Sequence, residues 1–285
     1  MRGAPGLLLT WLLACGPAAA QMDFAGVWAD VRNEDKEPRD PYPGEYAGVP
    51  LNEAGRMRAH TWSASIQTLP IWQCRPHPIG YWARSPHALL IEREINPTTR
   101  SVVAYHLQMG ESTRASVYLD GRPHPPANAP HSWNGFSTGE WIGNTLKITT
   151  THLKESYLRR NGVGYSDETT MTQYLMRRGD LLSWVQIFHD PIYLEAPFVR
   201  VSEFVLDPTE SFENDECVVV DTIGRARGEV PHYLPGENPA LTVYSEAFES
   251  PFEANQGGAE TMYPEYRARL RELGGIRVPE RRFPD

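Results

Sequence analysis

The chain has 285 residues, with 27 Lys and Arg against 36 Asp and Glu, which gives a formal charge of −9 at pH 7. A chain this acidic is a poor candidate for a nucleic-acid-binding protein, because phosphates require a basic face. Its 8 Trp, 13 Tyr and 9 Phe are plentiful, and such side chains build cores and line pockets for ring-shaped ligands.

The N-terminal segment is typical of an export signal. Arg2 supplies a short positive region, and residues 6–14 form an apolar stretch too short to span a bilayer. The three alanines at 18–20 predict ordinary signal cleavage, whereas a lipobox ending at Cys15 would leave a lipid anchor on that cysteine. Both alternatives predict an exported protein, periplasmic or secreted, with a signal peptide at residues 1–20 and no transmembrane segment.

The remaining residues, 21–285, predict one domain. Its N-terminal arm, residues 21–86, is rich in Pro, Gly and Trp. This arm predicts a short strand at Phe24–Trp28 and a helix at Asn52–Trp62.

The middle region, residues 87–206, predicts an antiparallel β-meander. Strand-forming runs alternate with hairpin signals such as Gly143-Asn144 and Gly179-Asp180. Eight or nine strands joined in this way can close into an up-and-down barrel, which removes exposed edges and can hold one small ligand. The predicted fold is all-β, with long irregular arms and a few short helices. The predicted strands are His87–Ile95, Arg100–Met109, Ser112–Asp120, Gly135–Trp141, Thr145–Leu153, Thr169–Arg178, Leu181–Asp190 and Phe198–Leu206.

The C-terminal arm, residues 207–285, is again rich in Pro and Gly and predicts a helix at Pro264–Leu273, because proline suits the first helical turn. Cys74 and Cys217 are the two cysteines that remain after signal removal. In an oxidising compartment we expect them to pair and to tie the two arms together. The alternative is two buried thiols.

Alternation along two strands suggests an acid–base site. Leu146 and Ile148 share a face with His152, so this histidine is predicted inside the barrel or at its mouth. A histidine near a second histidine and a carboxylate is typical of a proton relay, so His152 is the predicted base and His189 or Asp190 its partner. The alternative for each histidine is a hydrogen-bonded buried side chain. No HxH or HExxH pattern supports a metal site.

The loop after Tyr118 predicts the rim of a ligand pocket. Arg122 would bind a carboxylate or enolate, and His124 would transfer a proton, although Asp120 is also a simple turn partner for Arg122. Two adjacent arginines at 159–160 lie in a predicted turn and could gate an anionic ligand. The residues predicted to contact the ligand are Tyr118, His131, Trp133 and Asn134. The alternative for the tryptophan is a plug at the end of the barrel.

Eight segments spread over residues 23–267, among them DGRPHP (120–125) and GGAETMYPEYR (257–267), resemble a family of uncharacterised exported bacterial proteins. The resemblance covers almost the whole mature chain and implies one exported unit whose arms belong to the barrel domain, without supplying catalytic residues. The G-x-W-x-G-x-x-L pattern at 139–146 is also similar to a hairpin of calycin-type (lipocalin-like) barrels, which include ligand carriers and a few isomerases, cyclases and hydratases. The segments that carry the family resemblance are DFAGVW (23–28), CRPHPIG (74–80), YLDGRPHP (118–125), WNGFSTGEWIGNTLKI (133–148), SDETTMTQYLMR (166–177), HDPIYLEAPFVR (189–200), VPHYLPGENP (230–239) and GGAETMYPEYR (257–267).

Three functions follow as hypotheses. The first is an exported enzyme that performs cofactor-independent proton-transfer chemistry, of the isomerase, cyclase, hydratase or lyase type, on a partly apolar, cyclic substrate in the barrel. The second is a periplasmic binding or carrier protein that uses the same pocket without catalysis. The third is a structural protein of the envelope. A small molecule is the expected partner under the first two, and no cofactor or metal is expected under any.

Overall fold

A computed structural model describes residues 22–31, 41–85, 87–110, 113–210, 212, 217–220 and 223–273. The predicted signal peptide, including Cys15, lies outside the described residues. The strands are β1 (Gly26–Asp30), β2 (Leu89–Ile95), β3 (Val102–Met109), β4 (Ala115–Tyr118), β5 (Phe136–Ile142), β6 (Thr145–Thr151), β7 (Ser156–Tyr157), β8 (Gly164–Tyr165), β9 (Thr170–Arg178), β10 (Leu181–His189) and β11 (Phe198–Leu206). The helices are α1 (Glu53–His60), α2 (Pro70–Gln73), α3 (Ile79–Trp82), α4 (Val243–Ala247) and α5 (Pro264–Glu272), with 3-10 helices at Ala64–Thr68, Phe252–Asn255 and Ala259–Met262.

Nine strands close into a barrel in the order β1-β11-β10-β9-β6-β5-β4-β3-β2, so the predicted all-β barrel is confirmed. The hairpin turns between β5 and β6 and between β9 and β10 contain Gly143 and Gly179 at φ of 60° and 62°. Tight hairpins require positive φ at such positions, and glycine adopts it without a steric penalty. The turn chemistry therefore accounts for these two pairings.

One strand pair departs from the predicted antiparallel meander. β4 and β5 are parallel, with Val117 opposite Ser137 and Tyr118 opposite Thr138. Strand directions cannot alternate all the way round a closed barrel with an odd number of strands, so at least one neighbouring pair must be parallel. The loop at residues 119–135 makes the crossover that this pair requires.

The N-terminal strand belongs to the barrel wall rather than to the arm in which the sequence pattern places it. β1 pairs antiparallel with β11 on one side and with β2 on the other, and Trp28 lies opposite both Leu206 and Leu89. These pairings seal the barrel between its first and last long strands. A contact between such distant segments leaves no local signal, which is why alternation did not reveal it.

The barrel interior is filled by side chains. In β6, Leu146, Ile148 and Thr150 are buried, as alternation predicts. Buried polar groups pair with each other, since the Gln173 side chain accepts from Trp184 Nε1 at 3.0 Å and donates to Thr150 Oγ1 at 2.9 Å. Such pairing offsets the cost of removing amides and hydroxyls from water. The large, fully buried aromatic side chains of the core include Phe24, Trp28, Tyr105, Trp184, Phe188 and Phe204.

Helix α3 plugs the barrel end at which β10 ends and β11 begins. Gln186 Nε2 donates to the Ile79 carbonyl at 3.0 Å, and Arg200 donates to the Gly80 carbonyl at 2.9 Å. A Cβ atom at Gly80 would lie only 2.9 Å from the Phe188 ring and 3.0 Å from the Tyr165 ring. Glycine at this position therefore allows the helix to lie directly against the aromatic core.

The two arms meet beyond this plug. Trp62 forms a β-bridge with His232, and the Asn238 side chain donates to the carbonyls of His60 and Trp62 at 2.8 and 3.0 Å.

The predicted helices appear as α1 and α5, and α1 begins after Asn52, whose side chain caps Gly55 N at 2.9 Å. Within the described ranges, no helix is long and apolar enough to cross a membrane.

Candidate functional site

Arg122 and Asp120 form a local pair in an exposed turn. Arg122 Nε donates to both carboxylate oxygens, at 2.9 and 3.0 Å, and the guanidinium lies 3.7 Å from the centre of the Tyr118 ring. The hydrogen bond from Arg122 lowers the pKa of Asp120 to about 2. Arg122 therefore binds the carboxylate of Asp120, two residues before it in the chain, rather than that of a ligand. The Tyr118 ring packs against Phe136, with 5.5 Å between the ring centres.

The crossover loop is held to the barrel by histidines. His124 shares hydrogen bonds with Thr138 Oγ1 at 2.8 Å and with Thr151 Oγ1 at 2.7 Å. His131 Nδ1 lies 2.8 Å from the Leu153 carbonyl oxygen. Both side chains are half-buried, and their hydrogen bonds anchor the loop, so their roles in catalysis or ligand contact stay predictions.

His152 does not continue the inward face of β6, and its half-buried side chain lies just beyond the end of the strand rather than inside the barrel, one of the two positions that alternation predicts. β6 ends at Thr151, and His152 has a φ of 57°, in the left-handed region. This change of backbone direction ends the alternation and turns the ring outward, where Nδ1 lies 2.7 Å from Thr151 Oγ1 and Nε2 lies 3.0 Å from the Pro126 carbonyl oxygen. The His131 and His152 rings meet edge to face at 5.3 Å.

The predicted relay between His152 and the end of β10 is not assembled. His189 is exposed on the outer side of its strand. Asp190 is buried and accepts from Ser166 N and Ser166 Oγ at 2.7 Å each, and from Ile192 N at 2.9 Å. This carboxylate shapes the turn after β10, and no hydrogen bond among the described residues joins it to either histidine. Catalysis by these residues stays a prediction without a supporting geometry.

The pH dependence of stability tests the histidine anchor. Burial, and to a smaller extent the neighbouring His152, lower the pKa of His124 below its ordinary 6.5. The unfolded chain therefore binds a proton at this imidazole more readily than the folded protein does. The contribution of His124 to the free energy of unfolding is fully present above about pH 6.5, and it is lost as the pH falls towards the lowered pKa of the folded state. We expect His124→Asn to reduce this loss in urea unfolding at about pH 7.5 and 5.5. His189→Asn, at an exposed histidine, is the control, and an unchanged pH dependence in His124→Asn would contradict the assignment.

The last two predicted contact residues lie at the end of the crossover loop. Asn134 is buried and donates to the Thr113 carbonyl at 2.6 Å, so it fastens the loop rather than facing a ligand. Trp133 is half-buried, with Lys154 Nζ 4.9 Å from its ring centre and the Arg75 guanidinium 4.7 Å from it. Trp133 therefore supports a charged group of the N-terminal arm.

A cleft of about 790 Å³ lies where the two arms meet beyond the plugged end of the barrel. Its walls come from α1, from the segment between the 3-10 helix at Ala64–Thr68 and the start of α3, and from the β7–β8 hairpin. Arg58 of α1 fixes the hairpin, since its guanidinium donates to the Gly162 carbonyl at 2.8 Å and to Glu155 Oε1 at 2.7 Å. The lining residues include Trp62, Ile66, Trp72, Arg75, Pro76, His77, Ser156, Tyr157, Arg159 and Arg160.

The disulfide closes one side of this cleft. Cys74 and Cys217 are bonded, with Cα atoms 5.7 Å apart, so the pairing expected from the sequence is present. The Gln73 side chain donates to the Val220 carbonyl and accepts from Val220 N, both at 2.7 Å. The crosslink and these two hydrogen bonds together hold the segment at 217–220 against the N-terminal arm.

The described lining of the cleft is cationic, although the chain as a whole is acidic. It contains four arginines, at positions 58, 75, 159 and 160, and one carboxylate, Glu155. The Arg75 guanidinium carbon lies 3.4 Å from the centre of the Trp72 ring and 4.7 Å from that of the Trp133 ring, which is within the range of cation–π contacts. Its guanidinium has no hydrogen-bond acceptor among the described residues. Burial lowers the pKa of Arg75, while the nearby Tyr157 phenol raises it.

Titratable and hydroxyl groups converge in the same cleft. His77 Nδ1 lies 2.5 Å from the Tyr157 hydroxyl. Ser156 is buried, and its hydroxyl faces that of Tyr165 without a hydrogen bond of good geometry to any described residue. Among the described residues, no group of three or more His, Cys, Asp or Glu is arranged to hold a metal ion.

The sequence pattern predicts little of this cleft. It does not mark Arg58, Arg75, His77 or Tyr157, whereas it places the arginines at 159–160 in a turn that could gate an anion. The available signal was the composition of the segment at 74–80, which places an arginine and a histidine directly after a cysteine expected to pair. Two prolines in that segment break any periodicity, so strand and helix patterns could not reveal it.

No protein-family model, curated protein or solved structure matches this chain significantly. The closed barrel is compatible with a barrel fold of the calycin kind, and both the family resemblance and the calycin resemblance stay predictions.

Proposed function

We propose that this protein binds a small, anionic, ring-bearing molecule in the cleft between its arms. The observation that carries the proposal is Arg75. Its guanidinium lies over the Trp72 ring at the cleft wall, also contacts the Trp133 ring, and lacks a hydrogen-bond acceptor among the described residues. A guanidinium has five N–H donors in a planar fork, which a carboxylate satisfies bidentately.

The apolar part of the lining supports a ring as the rest of the ligand. Trp62, Ile66 and Trp72 offer flat or aliphatic surfaces next to the charged group. The volume of about 790 Å³ lies in the range of small-molecule sites, about 300–1,000 Å³. An aromatic or alicyclic carboxylate meets both requirements, since its ring would pack on the indoles while its anion pairs with Arg75.

The proposal moves the expected ligand from the barrel interior to the arms. The interior positions are occupied by buried side chains, whereas the cleft is open and lined by charged and aromatic groups. Export, which the N-terminal sequence predicts, would place this site in the periplasm or outside the cell. The proposal keeps the hypothesis of a binding or carrier protein but places its ligand in the cleft between the arms. If none of the probes below binds, the hypothesis of a structural envelope protein is favoured instead.

The test is the binding of four simple probes to the mature protein. Calorimetry and quenching of tryptophan fluorescence would compare benzoate, phenylpyruvate, benzamide and acetate. We expect the two aromatic anions to bind at least about tenfold more tightly than uncharged benzamide or ring-free acetate, because only they engage both the cation and the indoles. Equal affinity for benzoate and benzamide, or no binding of any probe, would contradict the proposal and favour a structural role.

A further inference from the structure

The His77–Tyr157 pair is built into the cleft wall in a fixed geometry. His77 Nδ1 and the Tyr157 hydroxyl are hydrogen-bonded at 2.5 Å. The Tyr81 ring packs against both side chains, with its centre 5.1 Å from that of the His77 ring and 5.0 Å from that of the Tyr157 ring. The His77 carbonyl accepts from Trp82 Nε1 at 2.8 Å, and the backbone of Tyr157 pairs with Gly164 in the β7–β8 hairpin. Both residues are therefore held by the plug and the hairpin, and both line the cleft.

A phenol joined to an imidazole suits proton transfer better than either group alone. The ordinary pKa of tyrosine, about 10, makes its hydroxyl a poor base at neutral pH. A neutral imidazole nitrogen can take the phenolic proton, and its own pKa lies near neutrality. When Tyr157 passes its proton to His77, the phenol oxygen becomes able to accept another proton from a substrate.

Arg75 lines the same cleft as Tyr157. The Tyr157 phenol raises the pKa of the Arg75 guanidinium, as a group that can become negatively charged near a cation does. A cation near the phenol stabilises the negative charge that develops there and on a bound enolate. The anion anchor and the acid–base pair thus share one cavity.

We propose that the cleft catalyses proton transfer at the carbon next to the carbonyl of a ring-bearing 2-oxo acid, with Tyr157 and His77 as the acid–base pair. This inference rests on the proposed binding of an aromatic anion. The C3–H bond breaks, and its electron pair forms the C2–C3 double bond as the carbonyl pair moves to oxygen. The proton goes to the Tyr157 oxygen while the phenolic proton passes to His77 Nδ1. Return of a proton to carbon restores the keto acid, and no other reactant is needed.

Deuterium exchange into phenylpyruvate tests this chemistry. In D2O the imidazole and phenol protons exchange with solvent, so each reversal places deuterium on C3, which proton NMR follows directly. We expect the wild-type protein to accelerate exchange above the buffer rate. Tyr157→Phe and His77→Asn should each reduce the protein-dependent rate about 100-fold or more, because positioned acid–base groups contribute about 10²–10⁴ to rates. Their affinity for phenylpyruvate should change by less than about threefold.

A matched control and the contrary outcomes separate the two proposals. His106 lies on the barrel wall, where its ring is hydrogen-bonded to Ser116 and Glu94, and it does not line the described cleft. His106→Asn should therefore leave the rate of deuterium exchange unchanged. Circular dichroism and urea unfolding would show that each variant is folded. Phenylpyruvate binding without exchange above buffer would overturn the catalytic inference and leave the binding proposal intact. Exchange that survives in folded Tyr157→Phe would also overturn it, and failure of phenylpyruvate to bind would overturn both.

Discussion

Replacing Arg75 with Gln is expected to weaken benzoate binding about 10- to 100-fold. Hydrogen bonds to charged groups contribute about 1.5–3 kcal/mol, and each 1.4 kcal/mol is about a tenfold change in affinity. Gln keeps a polar, uncharged side chain that is shorter than that of Arg and lacks the charge and the forked donors. Calorimetric titration of the mature protein with benzoate measures the effect directly.

The control must remove one positive charge elsewhere on the molecule. Arg114 forms an exposed pair with Glu92 at 3.0 Å, away from the described cleft lining. Arg114→Gln lowers the net charge by the same amount, and we expect benzoate to bind it as it binds the wild type. Equal weakening by both substitutions would mean that overall charge, rather than a built site, attracts the anion. Unchanged binding by Arg75→Gln would contradict the proposal outright.

Loss of the Cys74–Cys217 disulfide is expected to lower the free energy of unfolding by about 4–5 kcal/mol. The bond closes a loop with a sequence separation of 143 residues, and crosslinks over long loops remove much conformational entropy from the unfolded chain. This loss is a large part of the total stability of an ordinary domain. Urea unfolding of the mature Cys74→Ser and Cys217→Ser proteins measures it.

The single and double variants distinguish loss of the bond from local damage. Because the crosslink needs both sulfurs, the two single variants and the double variant should lose similar stability. A reducing agent should destabilise only the wild type. A much smaller loss in one single variant, or no effect of reduction on the wild type, would show that the bond does not stabilise the fold in solution. Benzoate affinity should also fall in these variants, since the disulfide closes one side of the cleft.

The candidate site was harder to predict than the fold, for two local reasons. Alternation along β6 correctly turned Leu146 and Ile148 inward but was carried one residue too far, since the backbone changes direction at His152. The segment that holds Arg75 and His77 has no periodicity to interpret. Its position depends on the disulfide at Cys74 and on the plug that follows it.

The crossover loop shows how composition can mislead. An arginine, two histidines and a tryptophan close together in sequence resemble a binding rim, yet Arg122 pairs with Asp120 and His124 binds two threonine hydroxyls of the barrel. The same residue types that form sites also fasten long loops, because each offers several hydrogen bonds. Trp133 is the exception, since it reaches the cleft through its contact with Arg75.

The sequence by itself determined the all-β class, the hairpins at Gly143 and Gly179, and the inward faces of strands such as β6, because these depend on local backbone preference and on the two-residue period of a strand. Only the tertiary structure decided that β1 closes the barrel, that an odd strand count makes β4 and β5 parallel, and that the arms fold into a cationic cleft. Those features depend on contacts between residues far apart in the chain, and such contacts leave no periodic trace in the sequence.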